Sequence, residues 1–153
     1  MQSYDCVIIG AGAAGLMCAA TAGKRGRRVV VLEHANKVGK KILMSGGGRC
    51  NFTNYDVSAD NYLSANPHFC KSALARFTPY DFLELVSRHQ LAWHEKTAGQ
   101  LFCDHKSRDI LDILLKECAA ANVDIHTHCP VHTINRNSTA DGFTLTTENP
   151  GHH

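Results

Sequence analysis

Residues 7–33 read VIIGAGAAGLMCAATAGKRGRRVVVLE, an apolar run, a glycine-rich loop, a small-residue segment and a second apolar run. The first run, residues 6–9, is typical of a strand buried on both faces of a parallel sheet. Residues 13–22 favour a helix, and residues 29–32 repeat the apolar strand pattern. From Asp5 to Glu33 the segment spans 29 residues, close to the ~30 of a strand–helix–strand unit. The order therefore predicts a βαβ unit with parallel strands.

The glycine spacing in this unit suits a bound dinucleotide. Gly10 allows a tight turn, Gly12 allows the backbone to approach a pyrophosphate, and Gly15 allows close helix–strand packing. The start of the following helix supplies unpaired N–H groups and a partial positive charge. Glu33 ends the second strand, where a carboxylate can accept hydrogen bonds from ribose hydroxyls. A turn without a ligand would explain the glycines, but not their register with both strands, the helix and Glu33.

A second glycine-rich loop follows at residues 46–49, with the sequence GGGR. Three basic side chains lie beside it, those of Lys40, Lys41 and Arg49. Their position favours contacts with phosphate groups over a merely solvated surface. Two glycine loops in one segment predict a ligand with a long, doubly phosphorylated middle.

Composition excludes several classes of protein. With 153 residues the chain is long enough for one core, so a single domain is expected. The formal net charge of +2 gives no general signal for nucleic acid. The basic turn 24–28 is explained by a solvated helix end. A nucleic-acid groove is a weak alternative, because Phe52 and Tyr55 alone supply aromatic rings near the basic residues. We therefore expect no nucleic-acid partner.

The uncharged stretch 6–23 is as long as a membrane span, but its many Ala and Gly residues make it only mildly apolar. No basic residues precede it, so it is also a poor signal peptide. Seven scattered cysteines without a C-x-x-C motif indicate a reducing compartment. These features predict a cytoplasmic protein without a membrane partner.

The rest of the chain also alternates between helix and strand patterns. The predicted elements are a helix opened by Asn66-Pro67 and reaching Phe77, a helix capped by Thr78 and reaching about His89, a hairpin over 93–103 around Ala98-Gly99, a helix over 108–121 capped by Ser107, a strand over 123–128, and a hairpin formed by 131–135 and 143–147. We predict an α/β protein with part of an open parallel sheet and a small antiparallel hairpin appendage.

The motifs together resemble a known family. GxGxxG, Glu33 and the run SGGGRCNFTN at 45–54 are similar to the YhiN-like, or aminoacetone oxidase-like, bacterial NAD(P)/FAD-dependent oxidoreductases. These are flavoproteins with two dinucleotide-binding domains, and the similarity extends over nearly the whole chain. The resemblance implies an incomplete, three-layer Rossmann-like FAD/NAD(P)-binding fold, with residues 1–153 as the N-terminal part of the cofactor-binding domain.

The same resemblance implies a set of residues that bind FAD. The first loop would cradle the pyrophosphate, Glu33 would bind the adenosine ribose, and Val131 would contact adenine through its main chain. Lys40, Ser45 and the second loop would line the path toward the flavin. The candidate cofactor-binding residues are Gly10, Gly12, Ala13, Ala14, Gly15, Glu33, His34, Lys40, Lys41, Ser45, Gly46, Gly47, Gly48, Arg49, Cys50, Asn51 and Val131.

Reactive side chains give weaker signals. Cys50 invites comparison with redox-active disulfides, but the next cysteine along the chain is Cys70, so a packed thiol is the better interpretation. His126 and His128 are expected on one strand face near Cys129 and His132, without a second cluster at zinc spacing. No metal site is therefore predicted, and the catalytic residues stay unidentified.

The leading functional hypothesis is an FAD-dependent oxidoreductase. The flavin would exchange a hydride with an unidentified small molecule, with NAD(P)H as the other reactant. The alternatives are an NAD-dependent dehydrogenase, which does not need the second glycine loop, and a non-catalytic dinucleotide-binding module. Members of the family that this chain resembles are longer, so residues 1–153 are expected to be inactive alone.

Overall fold

A computed structural model describes residues 2–138 and 141–147 of the chain. These residues form parts of two compact units. Unit 1 comprises Met1–Lys41 with Leu114–His153, and unit 2 comprises Ile42–Ile113. In sequence, unit 2 is inserted into unit 1. The prediction that residues 1–153 are one part of a single cofactor-binding domain stays a prediction.

Short helices and strands alternate along the described residues. The helices are α1 (Ala13–Lys24), α2 (Lys40–Met44), α3 (Lys71–Arg76), α4 (Pro79–Arg88) and α5 (Ser107–Ala120). The strands are β1 (Cys6–Ile9), β2 (Val29–Leu32), β3 (Asn51–Asn54), β4 (Trp93–Glu95), β5 (Gln100–Cys103), β6 (Asp124–His126), β7 (Val131–Arg136) and β8 (Phe143–Thr147). None of the helices in the described part of the chain is long and apolar enough to cross a membrane.

Unit 1 contains a parallel sheet with the strand order β1–β2–β6. β1 pairs with β2 from Cys6 opposite Val29 to Ile9 opposite Leu32, and β6 pairs along the other edge of β2. All four residues of β2 are buried, because the strand is central and apolar throughout. The predicted βαβ unit is confirmed, since β1, α1 and β2 occupy the expected positions.

Three layers of structure make up unit 1. Helix α1 lies against β1 and β2 on one face, where Gly15 approaches Ile8. On the other face, Val30 and Leu32 form a cluster with Cys129, and Val131 and Leu145 of the β7–β8 hairpin pack against it. The hairpin appendage and the three-layer arrangement therefore agree with the prediction.

β1 differs from its prediction in burial. The sequence predicted a strand buried on both faces, but Val7 is 37% exposed and Ile9 is 55% exposed. Among the described residues β1 is an edge strand, and the hairpin packs on Val30 and Leu32 of the neighbouring β2. One side of β1 is consequently open.

Unit 2 contains an antiparallel sheet with the order β3–β5–β4. The predicted hairpin 93–103 is confirmed as β4 and β5. The third strand, β3, lies in the segment that the sequence assigned only to the glycine-loop motif. The ring of Phe52 on β3 packs against Phe82 and Trp93, with ring centroids 5.9 and 6.5 Å apart. These aromatic contacts pack α4 on the sheet and join its two outer strands, β3 and β4.

Two helix starts in unit 2 differ from the sequence prediction. α3 begins at Lys71, not at Asn66-Pro67, because the Asn66 side chain accepts a hydrogen bond from the His68 N–H (3.1 Å) in a local turn. Ser107 lies inside α5 and donates its hydroxyl to the Leu43 carbonyl (3.0 Å) instead of capping the helix. By contrast, Thr78 caps α4 as predicted, through a reciprocal pair of hydrogen bonds with Asp81.

The last strands of unit 1 follow in the predicted order, but β6 is shorter than predicted. β6 covers Asp124–His126, less than the predicted 123–128. Towards the end of α5, Cys118 donates to the Leu16 carbonyl (3.3 Å), and Glu117 forms an ion pair with Lys24. These contacts fix the last turns of α5 against α1.

Replacing Gly15 with alanine is expected to destabilise unit 1. Alanine is the better helix former by about 1 kcal/mol, but a Cβ at Gly15 overlaps the main-chain carbonyl of Gly10. We expect a net loss of about 2–3 kcal/mol in the free energy of unfolding, measured by urea titration.

Gly12→Ala is the matched control, since a Cβ at Gly12 meets no atom within 4 Å. It should cost less than about 1 kcal/mol, the scale of an altered helix cap. Identical unfolding curves for Gly15→Ala and the wild-type protein would contradict the close packing of α1 on β1.

Candidate dinucleotide-binding site

The loop between β1 and α1 is held open by backbone geometry. Gly10 has φ +98°, a conformation that other residues rarely adopt, and its N–H donates to the Leu32 carbonyl (2.8 Å). A Cβ added at Gly10 or at Gly12 would meet no atom within 4 Å. The main chain here borders open space, which a phosphate group can enter closely.

Helix α1 begins at the same loop, with the unpaired N–H groups of its first turn. Gly12 is the N-cap residue and provides no side-chain hydrogen bond to the first turn. The first turn of a helix leaves four N–H groups without partners in the helix, and the helix dipole adds a partial positive charge. This combination fits an anionic group such as a pyrophosphate.

Glu33 is buried at the end of β2, with 8% of its surface exposed. Its carboxylate accepts hydrogen bonds from the N–H of Ala11 (2.8 Å) and from the N–H of Ala35 (2.9 Å). Burial alone would raise the pKa of Glu33, but these two donors outweigh burial and hold it below the ordinary 4.5. The nearby charges of His34 and Lys40 act in the same direction. Glu33 is therefore an anion at neutral pH.

The carboxylate retains the capacity to bind a ligand. Two carboxylate oxygens offer about four lone-pair sites, and the N–H groups of Ala11 and Ala35 use one on each oxygen. The remaining sites suit ribose hydroxyl groups, which can donate hydrogen bonds. Glu33 thus has two roles, one within the fold and one available to a ligand.

Other predicted residues of unit 1 lie around Glu33. His34 is exposed and places its Nδ1 3.1 Å from the Glu33 carboxylate. The N–H of Gly39 donates to the Ala11 carbonyl (2.8 Å), which holds the chain just before Lys40 to the first loop. Val131 packs on the cluster that contains Leu32, the neighbour of Glu33. Unit 1 therefore contains the first loop, Glu33, His34, Lys40, Lys41 and Val131, and both lysines are exposed.

The second glycine loop belongs to unit 2 and has its own structural reasons for glycine. Gly46 and Gly47 have φ near +60°, a left-handed conformation that breaks the helical geometry of the segment Ser45–Gly48. A Cβ at Gly46 would lie 2.8 Å from the Asn51 nitrogen and 2.9 Å from the Phe102 ring. A Cβ at Gly47 or Gly48 would meet no atom within 4 Å. The assignment of this loop to the cofactor stays a prediction.

Sequence reasoning missed two pairings in unit 2. The Cys103 N–H donates to the Cys50 carbonyl (3.4 Å), although 53 positions separate the two residues in the chain. His94 places its Nδ1 2.7 Å from an Asp104 oxygen. The antiparallel pairing of β4 and β5 with β3 produces both arrangements, and no short-range spacing could indicate them.

The prediction that His126 and His128 share a strand face is wrong. β6 ends at His126, and His128 has φ +53°, which turns the chain out of the strand. In the described ranges 2–138 and 141–147, no three His, Cys, Asp or Glu side chains form a group able to hold a metal ion.

Several curated proteins are similar to this chain. A ribosomal RNA dihydrouridine synthase of Escherichia coli (strain K12) is 56% identical over 145 residues, 95% of this chain and 36% of that relative. A protein of the same name from Haemophilus influenzae is 55% identical over 76% of this chain and 29% of its own length. A 3-dehydro-bile acid delta(4,6)-reductase of Clostridium scindens is 31% identical over 90% of this chain and 34% of its own length. The chain spans about a third of the length of these relatives.

Solved structures share the fold at low sequence identity. A 3-ketosteroid-delta4-(5alpha)-dehydrogenase from Rhodococcus jostii RHA1 matches 97% of this chain and 42% of its own, with a TM-score of 0.69 and 15% identity. The amino acid oxidase NikD, as a Tyr258Phe mutant, matches 96% of this chain and 48% of its own, with a TM-score of 0.60 and 16% identity. The profile of the HI0933-like protein Rossmann domain matches residues 4–152. The chain belongs to the HI0933-like Rossmann domain family, in agreement with the resemblance to YhiN-like proteins.

Proposed function

We propose that this chain is the FAD-binding portion of a flavoprotein oxidoreductase. The observation that carries the proposal is the open loop at Gly10 and Gly12, which leads into the uncapped N-terminus of α1 with Glu33 beside it. An adenosine diphosphate group needs both a pyrophosphate cradle and an acceptor for ribose hydroxyls, and unit 1 offers both. FAD contains this group, and the family match supports FAD as the dinucleotide.

Within unit 1, each element would hold a different part of the cofactor. The N–H groups of Ala13 and Ala14 in the first turn of α1 would bind the pyrophosphate. The carboxylate of Glu33 would bind the ribose, and Lys40 would offset phosphate charge. When bound, FAD supplies hydride transfer, while the protein positions it and tunes its electronics.

We further propose that the substrate is reduced at a carbon–carbon double bond. The names of the E. coli and C. scindens relatives, a dihydrouridine synthase and a delta(4,6)-reductase, both describe the addition of hydrogen. Identity to the ribosomal RNA enzyme is much higher, 56% against 31%, which favours uridine in ribosomal RNA over a steroid-like small molecule. The sequence predicted a small-molecule substrate and no nucleic-acid partner, so one experiment should test both substrate classes.

Reduction of uridine to dihydrouridine consumes two electrons and two protons. A flavin that gives up a hydride in each cycle must be reduced again, and a nicotinamide dinucleotide is a suitable hydride donor. We therefore propose NAD(P)H as the co-substrate of the whole protein. The cofactor roles of the second glycine loop, Lys41, Cys50 and Asn51 are also proposals, which rest on the family resemblance.

Gly12→Ala is expected to weaken FAD binding without unfolding the protein. Its Cβ would enter the open space at the loop and keep a phosphate from close approach. We expect at least about a tenfold increase in the Kd for FAD, roughly 1.4 kcal/mol, from the quenching of flavin fluorescence on titration. An unchanged Kd in a variant that unfolds like the wild type would remove the first loop from the cofactor site.

Glu33→Gln keeps the size of the side chain and removes its charge. At neutral pH we expect a loss of about 1–3 kcal/mol in the free energy of unfolding, because an amide offers one acceptor oxygen to the two buried N–H groups. The folded pKa of Glu33 lies below 4.5. The contribution of its charge is therefore fully present above that pH and is lost as the pH falls through the folded pKa.

Urea titrations across a range of pH test this dependence. The free energies of unfolding of the wild type and Glu33→Gln should differ most near neutrality and converge in acid. Glu84→Gln makes the same change at an exposed position of α4 and should follow the wild type throughout. A difference between Glu33→Gln and the wild type that does not vary with pH would contradict the role of the charge.

The substrate proposal predicts dihydrouridine in ribosomal RNA. The full-length protein, supplied with FAD and NAD(P)H, should convert uridine in ribosomal RNA from cells that lack the corresponding gene, as measured by nucleoside mass spectrometry. Protein without NAD(P)H is the control. Reduction of a small conjugated ketone with no change in the RNA would favour the small-molecule class instead.

A further inference from the structure

Unit 2 brings two buried cysteine residues face to face. Asn51 at the start of β3 pairs with Phe102 of β5, and the adjoining residues are Cys50, just before β3, and Cys103, at the end of β5. The Cys103 N–H donates to the carbonyls of Arg49 (3.1 Å) and Cys50 (3.4 Å). The two thiols are also hydrogen bonded to each other and are present as free cysteines.

We propose that Cys50 and Cys103 are a redox-active pair that hydrogen peroxide converts into a reversible disulfide. The proposal does not depend on FAD binding or on the substrate of the protein. It assigns a modification site to unit 2, where sequence spacing had indicated only a packed thiol at Cys50.

The backbone geometry is compatible with a disulfide. The Cys103 N–H reaches the Cys50 carbonyl and the two thiols share a hydrogen bond, so the residues are already in contact. A disulfide needs Cβ atoms about 3.5–4.5 Å apart, and a small local shift of the chain can bring two residues in contact to that distance. Cys50 has φ +52° and follows the glycines at 46–48, whose backbone can change conformation at little cost. The loop side of the pair can supply the movement.

The two sulfur atoms are chemically different. The hydrogen bond from the Cys103 thiol lowers the pKa of Cys50, and burial opposes this effect. The same hydrogen bond and burial raise the pKa of Cys103, as does the charge of Asp109. Cys50 is therefore the thiolate that attacks, and Cys103 is the thiol that follows.

The oxidation balances in two steps. The Cys50 thiolate attacks one peroxide oxygen, so an S–O bond forms, the O–O bond breaks, and the departing hydroxide takes a proton to become water. The Cys103 sulfur then attacks the Cys50 sulfur, so the S–S bond forms and the S–O bond breaks. The second oxygen leaves as water with the Cys103 proton. Two electrons pass from the two sulfurs to the peroxide, and a dithiol reductant reverses the change.

The burial of Cys50 and Cys103 limits the size of the reagent that can oxidise them. Cys50 is 5% exposed and Cys103 is fully buried, so a bulky aromatic disulfide reagent should react with the exposed Cys18 first. Hydrogen peroxide is close to water in size, so a much smaller local fluctuation of the fold admits it than admits the aromatic reagent. The expected pattern is selective oxidation by the small reagent only.

Mass spectrometry of the peroxide-treated, folded protein tests the proposal. After alkylation of free thiols and digestion without reductant, the peptide linked through Cys50 and Cys103 should form at least about tenfold faster than any other disulfide. In Cys103→Ser the link should be absent, and a sulfenic acid on Cys50 should be trapped by dimedone added together with denaturant. Cys118→Ser is the control and should keep the link, because Cys118 donates to the Leu16 carbonyl in unit 1.

The proposal is overturned if both thiols stay reduced under a peroxide dose that oxidises Cys18, or if Cys50 links to other cysteines as readily as to Cys103. Should Cys103→Ser fail to fold, the map of linked peptides from the wild-type protein decides the question by itself.

Discussion

The hydrogen bonds of the Glu33 carboxylate join the two parts of unit 1 on which a dinucleotide site depends. One oxygen accepts the Ala11 N–H in the loop after β1, and the other accepts the Ala35 N–H just past β2. The pairing of Ile9 with Leu32 brings these segments side by side at the ends of the strands. A pyrophosphate cradle and a ribose acceptor are thereby held close enough to serve one ligand. Loss of the charge would weaken the hydrogen bonds to both N–H groups, which makes the carboxylate important for the fold as well as for binding.

Much of unit 1 could be predicted from its sequence because its determinants are local. The apolar runs before Gly10 and after Arg28 specify strands, and the small residues between them specify α1. The glycine positions add a geometric requirement, since a Cβ at Gly15 would overlap the Gly10 carbonyl. The role of Glu33 was only half predicted. Its position indicated a ribose acceptor, but the hydrogen bond to Ala11 depends on strand register.

Unit 2 was harder to predict because its contacts connect distant parts of the chain. The strand character of β3 comes from pairing with β5 and from the packing of Phe52 against Phe82 and Trp93, not from an apolar run of its own. The proximity of Cys50 and Cys103 has the same origin. The prediction at Asn66 failed for the opposite reason, because a purely local pattern was misread. The Asn66 side chain closes a local turn, and the same sequence pattern is typical of a helix cap.

Competition titration with fragments of FAD tests the central claim, that unit 1 holds the adenosine diphosphate half of the cofactor. The protein is saturated with FAD, and flavin release is followed as ADP or FMN is added. ADP carries both the pyrophosphate and the ribose that the first loop and Glu33 are expected to bind, so it should displace FAD from the wild type, and Glu33→Gln should raise the Kd of ADP and the Kd of FAD alike. Displacement by FMN, with ADP ineffective even at high concentration, would contradict the account.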